Sequence, residues 1–322
     1  MHQFLLQTYF SELQQLYPFM DSSLPFLNPQ LPCPQELLPS EAFILQMVYS
    51  IACQCVPDRG NQLLSLSDAC YARALKNIDS ATANLTVETL QAITLLTLRS
   101  LFDPQNGNFG QLIAFAARLA IDIGGQDIPA WGESMRNIHT SIYCMERQFA
   151  TALDRPPFLP EPTRPISFDI SQPSEYFCSL YRIQAKFRGG KEVEGGKFFE
   201  MIDIDDLERK VKIDQRISPN VLCTVYETQL LLNPTPSAAA TMLASYHHPR
   251  FIQTFLTPQW TYRAALIVLQ PNHKDTLPEF DRMQAYGQSL VLLDRVSLRW
   301  KGAVALSESL RLVGQRIQSQ SH

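Results

Sequence analysis

The sequence predicts an all-α fold, an irregular multi-helix bundle with long proline-rich loops, and three observations carry that prediction. Apolar residues recur every three or four positions along almost the whole 322-residue chain. Sustained period-two alternation with β-branched residues, the signature of strands, is hard to find. Prolines concentrate in the stretches 25–39 and 155–173, between the periodic segments.

Taken in order, residues 4–20 carry Leu6, Phe10, Leu13 and Tyr17 on one stripe, and Pro18 stops or kinks the end of that helix. Beyond the loop at 25–39, Ser40 stands where it can cap a helix. Its stripe is Phe43, Met47, Ile51 and Cys55, and it ends before Pro57. Residues 66–78 continue the pattern. Thr86 is an N-cap for a helix reaching about Leu101, and Leu85 and Leu90 occupy the two positions of a hydrophobic staple. Asp103-Pro104-Gln105-Asn106-Gly107 is a turn. Leu112, Phe115, Ala116, Leu119 and Ile123 line the next helix, which Gly124-Gly125 closes, so the two helices pack antiparallel. Ile138, Ile142, Met145, Phe149 and Leu153 repeat at helical spacing until Pro156-Pro157. Six prolines between Arg155 and Pro173 forbid regular structure, and a loop of that length has to be tied onto a surface. Residues 189–197, glycine-rich and charged, read as a flexible linker between a first half, 1–188, and a second, 198–322. In the second half 198–217, 221–232, 237–255, 259–269 and 280–300 read as helices.

Composition excludes several classes of function. The chain carries 27 Lys and Arg against 31 Asp and Glu, net -4, with a pI near 5.9 and mean hydropathy -0.10. A protein that grips nucleic acid by itself concentrates basic charge on one face, so direct DNA contact is not expected. No apolar run approaches the roughly 18 residues that would span a bilayer, and the start lacks the basic segment and cleavage site of a secretory signal. No membrane association is expected. Seven scattered cysteines read as buried free thiols in a reducing compartment. Cys53 and Cys55 would diverge by about 200° on a helix, so they do not converge on one metal. Neither cofactor nor metal is expected. The sequon at Asn84 has no weight without a signal peptide.

Few constellations carry chemistry. The glycine-rich segment lacks both the first glycine and the hydroxyl of a phosphate-binding loop, because Lys191 and Phe198 occupy those places. Asp203-Ile204-Asp205-Asp206 resembles the proton-donating D-x-D-D motif of class II terpene cyclases, where a carboxyl of raised pKa protonates an alkene. A helical enzyme using Asp203, Asp205 and Asp206 is therefore the alternative reading, set against an acidic first helical turn facing solvent. His247 and His248 diverge by about 100° on a helix and read as surface or capping residues. Arg118, Arg147 and Arg155 are candidates for structural ion pairs or for an anion contact in an effector pocket. Trp131, Trp260 and Trp300 read as core or interface aromatics.

Thr86-Val87-Glu88-Thr89-Leu90-Gln91-Ala92, Ser100-Leu101-Phe102-Asp103-Pro104 and Phe115-Ala116-Ala117-Arg118-Leu119-Ala120-Ile121-Asp122-Ile123-Gly124 together resemble the fungal-specific transcription factor domain. This is the regulatory middle region of the zinc binuclear cluster activators. Tyr9-Phe10 with Tyr17-Pro18-Phe19, and Met145-Glu146-Arg147 with Asp154-Arg155-Pro156-Pro157, are similar to further landmarks of those proteins, as are Asn233-Pro234-Thr235-Pro236 and Leu293-Asp294-Arg295. Two departures stand out. Gly125-Gln126 replaces the family's Leu-His after Gly124, and Asp154 occupies the glycine of the family's G-R-P turn.

The resemblance implies a nuclear transcription regulator, not an enzyme, that carries the effector-response and dimerisation functions. It implies control of a metabolic or secondary-metabolite pathway. Because the resemblance begins almost at Met1, the six-cysteine zinc cluster of the family is expected to be absent. The expected partners are transcription machinery or a DNA-binding relative, a homo- or heterodimer mate, and a small-molecule effector whose binding residues the sequence leaves unknown. A structural partner that titrates full-length relatives is a further alternative.

Overall fold

Among the described residues the periodic segments fold as fourteen α-helices and no strand occurs. The structure is a computed structural model that describes residues 1–56, 62–125, 131–190, 202–214, 217–270 and 277–320. The chain packs as two units. The first comprises Met1–Arg147, Pro157–Ser179 and Ile213–Ser218, and the second Gln148–Pro156, Leu180–Lys212 and Pro219–His322.

The first unit is built on α2 (Pro39–Cys55) and α5 (Val87–Phe102), with α1 (His2–Thr8), α3 (Gln62–Leu75), α4 (Ile78–Ala81) and α6 (Phe109–Gly124) around them. A π-helical turn, Tyr9–Leu13, extends α1. Every residue of α5 from Thr89 to Phe102 is buried, as a helix apolar on all sides must be. Leu90, Leu95, Leu98 and Leu101 are each fully enclosed, worth about 2 kcal/mol apiece in apolar burial. Thr86 caps α5 as expected, accepting from the Thr89 N–H at 3.4 Å. Asn108 does the same for α6 through the Gln111 N–H at 3.2 Å.

Several local expectations are corrected. Ser40 is not the cap of α2, because the helix begins one residue earlier at Pro39, whose fixed φ and missing N–H suit a first helical position. The Glu41 carboxylate instead accepts from the Leu38 N–H at 2.9 Å. Leu85 stays 61% exposed, so no staple closes against Leu90. On α6 the buried stripe runs through Ile113, Ala116, Ala117 and Ala120, which turns Phe115 outward at 52% exposed.

Helices α7 (Glu133–Ala152) and α8 (Pro173–Arg188) flank the proline-rich loop. As expected, that loop is tied down. Glu146 Oε1 accepts from the Phe158 N–H at 3.1 Å, Arg147 Nη2 donates to the Leu159 carbonyl at 2.5 Å, and Ser179 Oγ accepts from the Ser167 N–H at 2.9 Å. The Arg164 guanidinium pairs with Glu175 and reaches Asn137 Oδ1 at 3.2 Å. Asp154 has φ of 53°, a left-handed conformation that glycine adopts freely, so this residue bears the strain that a glycine would avoid.

The second unit contains α9 (Ile204–Ile213), α10 (Pro219–Leu232), α11 (Pro236–Ser245), α12 (Thr257–Leu269), α13 (Glu279–Ser297) and α14 (Gly302–Gln320). Ala265, Leu293 and Leu310 from α12, α13 and α14 form a fully buried centre on which Tyr262, Leu266, Leu269, Tyr286, Leu290 and Leu306 pack. The helix expected over 237–255 ends at Ser245, where the turn leads into Pro249 and the residue before a proline is driven out of helical geometry. Helices α8 and α14 were not expected as separate elements. The linker at 189–197 lies from residue 191 onward outside the described residues, as do residues 198–201 of the helix expected over 198–217.

Gly124 and Gly125 have separate jobs. Gly125 ends α6 with φ of 75°. A Cβ on Gly124 would stand 2.4 Å from Cε2 of Trp131, whose indole N–H donates to the Gly125 carbonyl at 3.3 Å. The rigid indole has no flexible end to move aside. Gly124→Ala is therefore expected to lower stability by about 2 kcal/mol, as overpacking does. Gly132→Ala, whose Cβ meets nothing within 4 Å, is the neutral control, and urea unfolding followed by tryptophan fluorescence separates the two.

Candidate functional site

The most constructed polar site in the first unit surrounds Arg99, the last-turn cation of the enclosed helix α5. Its side chain is 3% exposed. Nε donates to Ser50 Oγ on α2 at 2.9 Å, and Nη2 donates to Asp68 Oδ1 on α3 at 3.0 Å and to Asp103 Oδ2 at 3.3 Å. The guanidinium also lies over the Tyr71 ring, 5.2 Å from its centroid. Asn106 Nδ2 donates to Asp103 Oδ2 at 2.6 Å, and the Tyr71 hydroxyl donates to the Asn106 carbonyl at 3.1 Å. Burial raises the Tyr71 pKa, opposed by Arg99. One side chain thus fastens α2, α3, α5 and the α5–α6 turn.

Above it Tyr71, Leu96, Arg99, Ser100, Asp103, Asn106 and Gly107 line a narrow cleft. The cleft is too narrow to admit even a water molecule. Its lining carries one cation, Arg99, and one carboxylate, Asp103, so it has no net charge to draw an anion, and no histidine lines it beside the Tyr71 and Ser100 hydroxyls. What this arrangement can do is latch helices together. Arg99 was not among the arginines that the sequence singled out, because nothing in a helical pattern distinguishes an arginine that is enclosed from one that snorkels.

Of the arginines that were singled out, Arg118 is a surface residue, 74% exposed and paired one turn on with Asp122 at 3.0 Å. Arg147 is buried and structural. Its Nη1 donates to Glu146 Oε2 at 2.6 Å, its plane covers the Tyr143 ring at 4.6 Å, and together the pair holds the proline-rich loop. Arg155 is exposed over the Phe149 ring at 4.9 Å. The structure does not gather the three into one pocket. Trp131, Trp260 and Trp300 are all buried, as expected of core aromatics. His248 caps its own turn, its Nδ1 accepting from the Arg250 N–H at 3.2 Å.

The acidic cluster faces water. Asp203 Oδ1 caps the first turn of α9, accepting from the Asp206 N–H at 2.8 Å. Asp206 pairs with Arg209 and, at 2.7 Å, with Lys210. Hydrogen bonds from Lys210 and Arg209 hold its carboxyl below the ordinary aspartate value, which favours the ionised form. A proton donor to an alkene needs the opposite shift, so this geometry gives the cyclase reading no support. Among the described residues, no three His, Cys, Asp or Glu side chains are placed to hold a metal ion, and none of the seven cysteines is in a disulfide; five are buried as expected, whereas Cys55 is half-buried and Cys33 exposed. No described helix is long and apolar enough to cross a membrane.

The second unit holds a buried carboxyl that sequence reading also missed. Glu227 on α10 accepts from the Tyr246 hydroxyl at 2.5 Å, and burial pushes its pKa up to about 7 against the opposing effects of Tyr246 and Arg263. Arg263 itself lies over the Trp260 ring at 5.0 Å.

Compared with known proteins, the chain matches one family model, described as the fungal specific transcription factor domain, over residues 6–172, which is more than half its length. No curated protein and no solved structure matches it.

Arg99→Met should cost about 1 kcal/mol of unfolding free energy, because buried Ser50 loses its Arg99 partner and half-buried Asp103 its countercharge while Asp68 is 66% exposed and returns to water, whereas Arg118→Met should leave stability unchanged. Equilibrium unfolding of both variants measures the contrast. Glu227 has a folded pKa above its unfolded one, so it costs the fold nothing below about pH 4.5 and destabilises it increasingly as the pH rises through about 7. Relative to the parent, Glu227→Gln should gain on the order of 3 kcal/mol between pH 4 and 8, a trend that unfolding midpoints across that range would show or refute.

Proposed function

The chain belongs to the fungal specific transcription factor domain family, and from that premise we propose that it is the regulatory body of a fungal transcription regulator. The family match over residues 6–172 is the observation that carries this reading. In it, residues 1–188 and 198–322 are two halves of one regulatory domain that acts in the nucleus through contacts with transcription machinery, a DNA-binding relative or a second copy of itself. It reads no DNA with its own side chains. The net charge of -4 supports that, because phosphate neutralisation needs a basic surface. The genes it serves belong to a metabolic or secondary-metabolite pathway, by analogy with the zinc cluster activators.

Regulation in this reading is a shift between two helical packings, biased by a small effector with different affinity for each. The Arg99 node supports such a mechanism. It is a single polar fastening of three helices and a turn, and its cleft has no room for a guest in the packing seen here. An effector that acts there must therefore favour a repacked state.

The test is to tether residues 1–322 to a promoter through an unrelated DNA-binding module and read a reporter. The expected result is a several-fold change in output over the module alone, together with no salt-dependent DNA binding by the untethered protein. An unchanged reporter, or tight sequence-selective binding by the chain alone, would overturn the reading.

A further inference from the structure

Residues 246–256, between α11 and α12, form no helix, and their first part lies as a strap along α10. Three side chains of α10 hold it there. The Asn220 amide bonds Ile252 in both directions, donating to its carbonyl at 3.1 Å and accepting from its N–H at 3.0 Å. Cys223 Sγ donates to the carbonyl of Ser245, where the strap begins, at 3.6 Å. The Glu227 carboxyl accepts from the Tyr246 hydroxyl at 2.5 Å. Positions 220, 223 and 227 fall within about 60° of one line on a helix, so the three anchors form a single stripe. The strap buries Tyr246 and Ile252 and leaves His247 and Pro249 exposed, and the Tyr246 ring stacks on Phe251 at 4.4 Å. Its backbone makes turn bonds in place of a helical ladder, such as the Phe251 N–H to the His248 carbonyl at 2.9 Å, so attachment depends on the side-chain anchors.

We infer that residues 246–252 are a pH-sensitive strap, closed on α10 while Glu227 is protonated and increasingly open as Glu227 ionises. Of the three anchors only Glu227 changes charge near neutrality, because Asn220 has none to change and burial pushes the Cys223 thiol up. Burial moves the Glu227 pKa from 4.5 to about 7, against the opposing effects of Tyr246 and Arg263, and lifting the strap lets water return it toward the ordinary value. The closed strap therefore bears no penalty below about pH 4.5, a growing one up to about pH 7, and a constant one above. The surrounding groups do not replace water. Arg263 of α12 is committed to the Trp260 ring and to the Thr151 carbonyl at 3.5 Å, and it feels Asp154 and Arg188 in turn. Tyr181 of α8 acts on Tyr246, Cys223 shares the helix with Glu227, and Glu208 of α9 bonds Tyr226. On the strap itself, burial and Arg295 of α13 lower the His247 pKa, and His248 Nδ1 accepts from the Arg250 N–H.

Hydrogen exchange of the full chain, read by mass spectrometry on peptides covering 246–256, tests the strap. Once the intrinsic exchange rate at each pH is divided out, the parent's opening constant should rise at least about tenfold between pH 5 and 8 and level off above about pH 7. Glu227→Gln keeps an acceptor for Tyr246 without the charge, so its opening constant should stay within about twofold over the same range. His247→Asn should rise as the parent does, which separates the carboxyl from the strap's own titrating group. Local opening has a further mark. The strap should exchange at least about a hundredfold faster than peptides of α14, and about 0.5 M urea, which speeds exchange through whole unfolding, should leave it unchanged. A parent whose opening does not vary with pH, a rise that survives in Glu227→Gln or vanishes in His247→Asn, or a strap that exchanges only in step with α14 would each overturn the inference.

Discussion

Helix α5 is enclosed on every side, and the first unit is organised by what that enclosure demands. A buried polar group without a partner costs the fold far more than a partnered one contributes. Thr94 and Thr97 therefore donate back to the Leu90 and Ile93 carbonyls at 2.7 and 2.9 Å, and Gln91 reaches the Phe19 carbonyl at 2.9 Å. Arg99 is the extreme case. A full charge at this depth needs countercharge and a hydroxyl, so it fixes where Ser50, Asp68 and Asp103 must stand. The positions of α2, α3 and the turn into α6 go with partnering Nε and Nη2 of one guanidinium, whose Nη1 is buried without a hydrogen-bond partner.

The second unit meets a comparable demand differently. Burial pushes the Glu227 pKa up to about 7 despite the Tyr246 hydroxyl and the Arg263 charge, so its protonation depends on pH within the physiological range. Helices α12, α13 and α14 are held by apolar contacts around Ala265, Leu293 and Leu310. Close approach there also relies on a glycine, since a Cβ on Gly314 would stand 2.4 Å from the Tyr286 hydroxyl oxygen.

The polar cleft at Arg99 is closed, and the arginines that sequence reading had set aside for an anion are spread over surface and loop clamps. The units are fastened instead by polar groups in their interiors, among them a buried charge and a buried carboxyl.

By itself the sequence determined the helical class, the cap at Thr86, the turn at Asp103–Gly107 and the anchored proline-rich loop, because each follows from local rules of spacing, side-chain acceptors and fixed φ. It also marked the family, and Asp154 as a departure whose left-handed φ the structure then explained. Which face of a helix is buried was decided only by the tertiary structure. Periodicity put Phe115 inside and left Arg99 unremarked, yet the fold turns the phenylalanine out and encloses the arginine. The reason is that local sequence sets the conformation of each helix, whereas burial depends on which helices surround it, and that is a property of contacts distant in the chain.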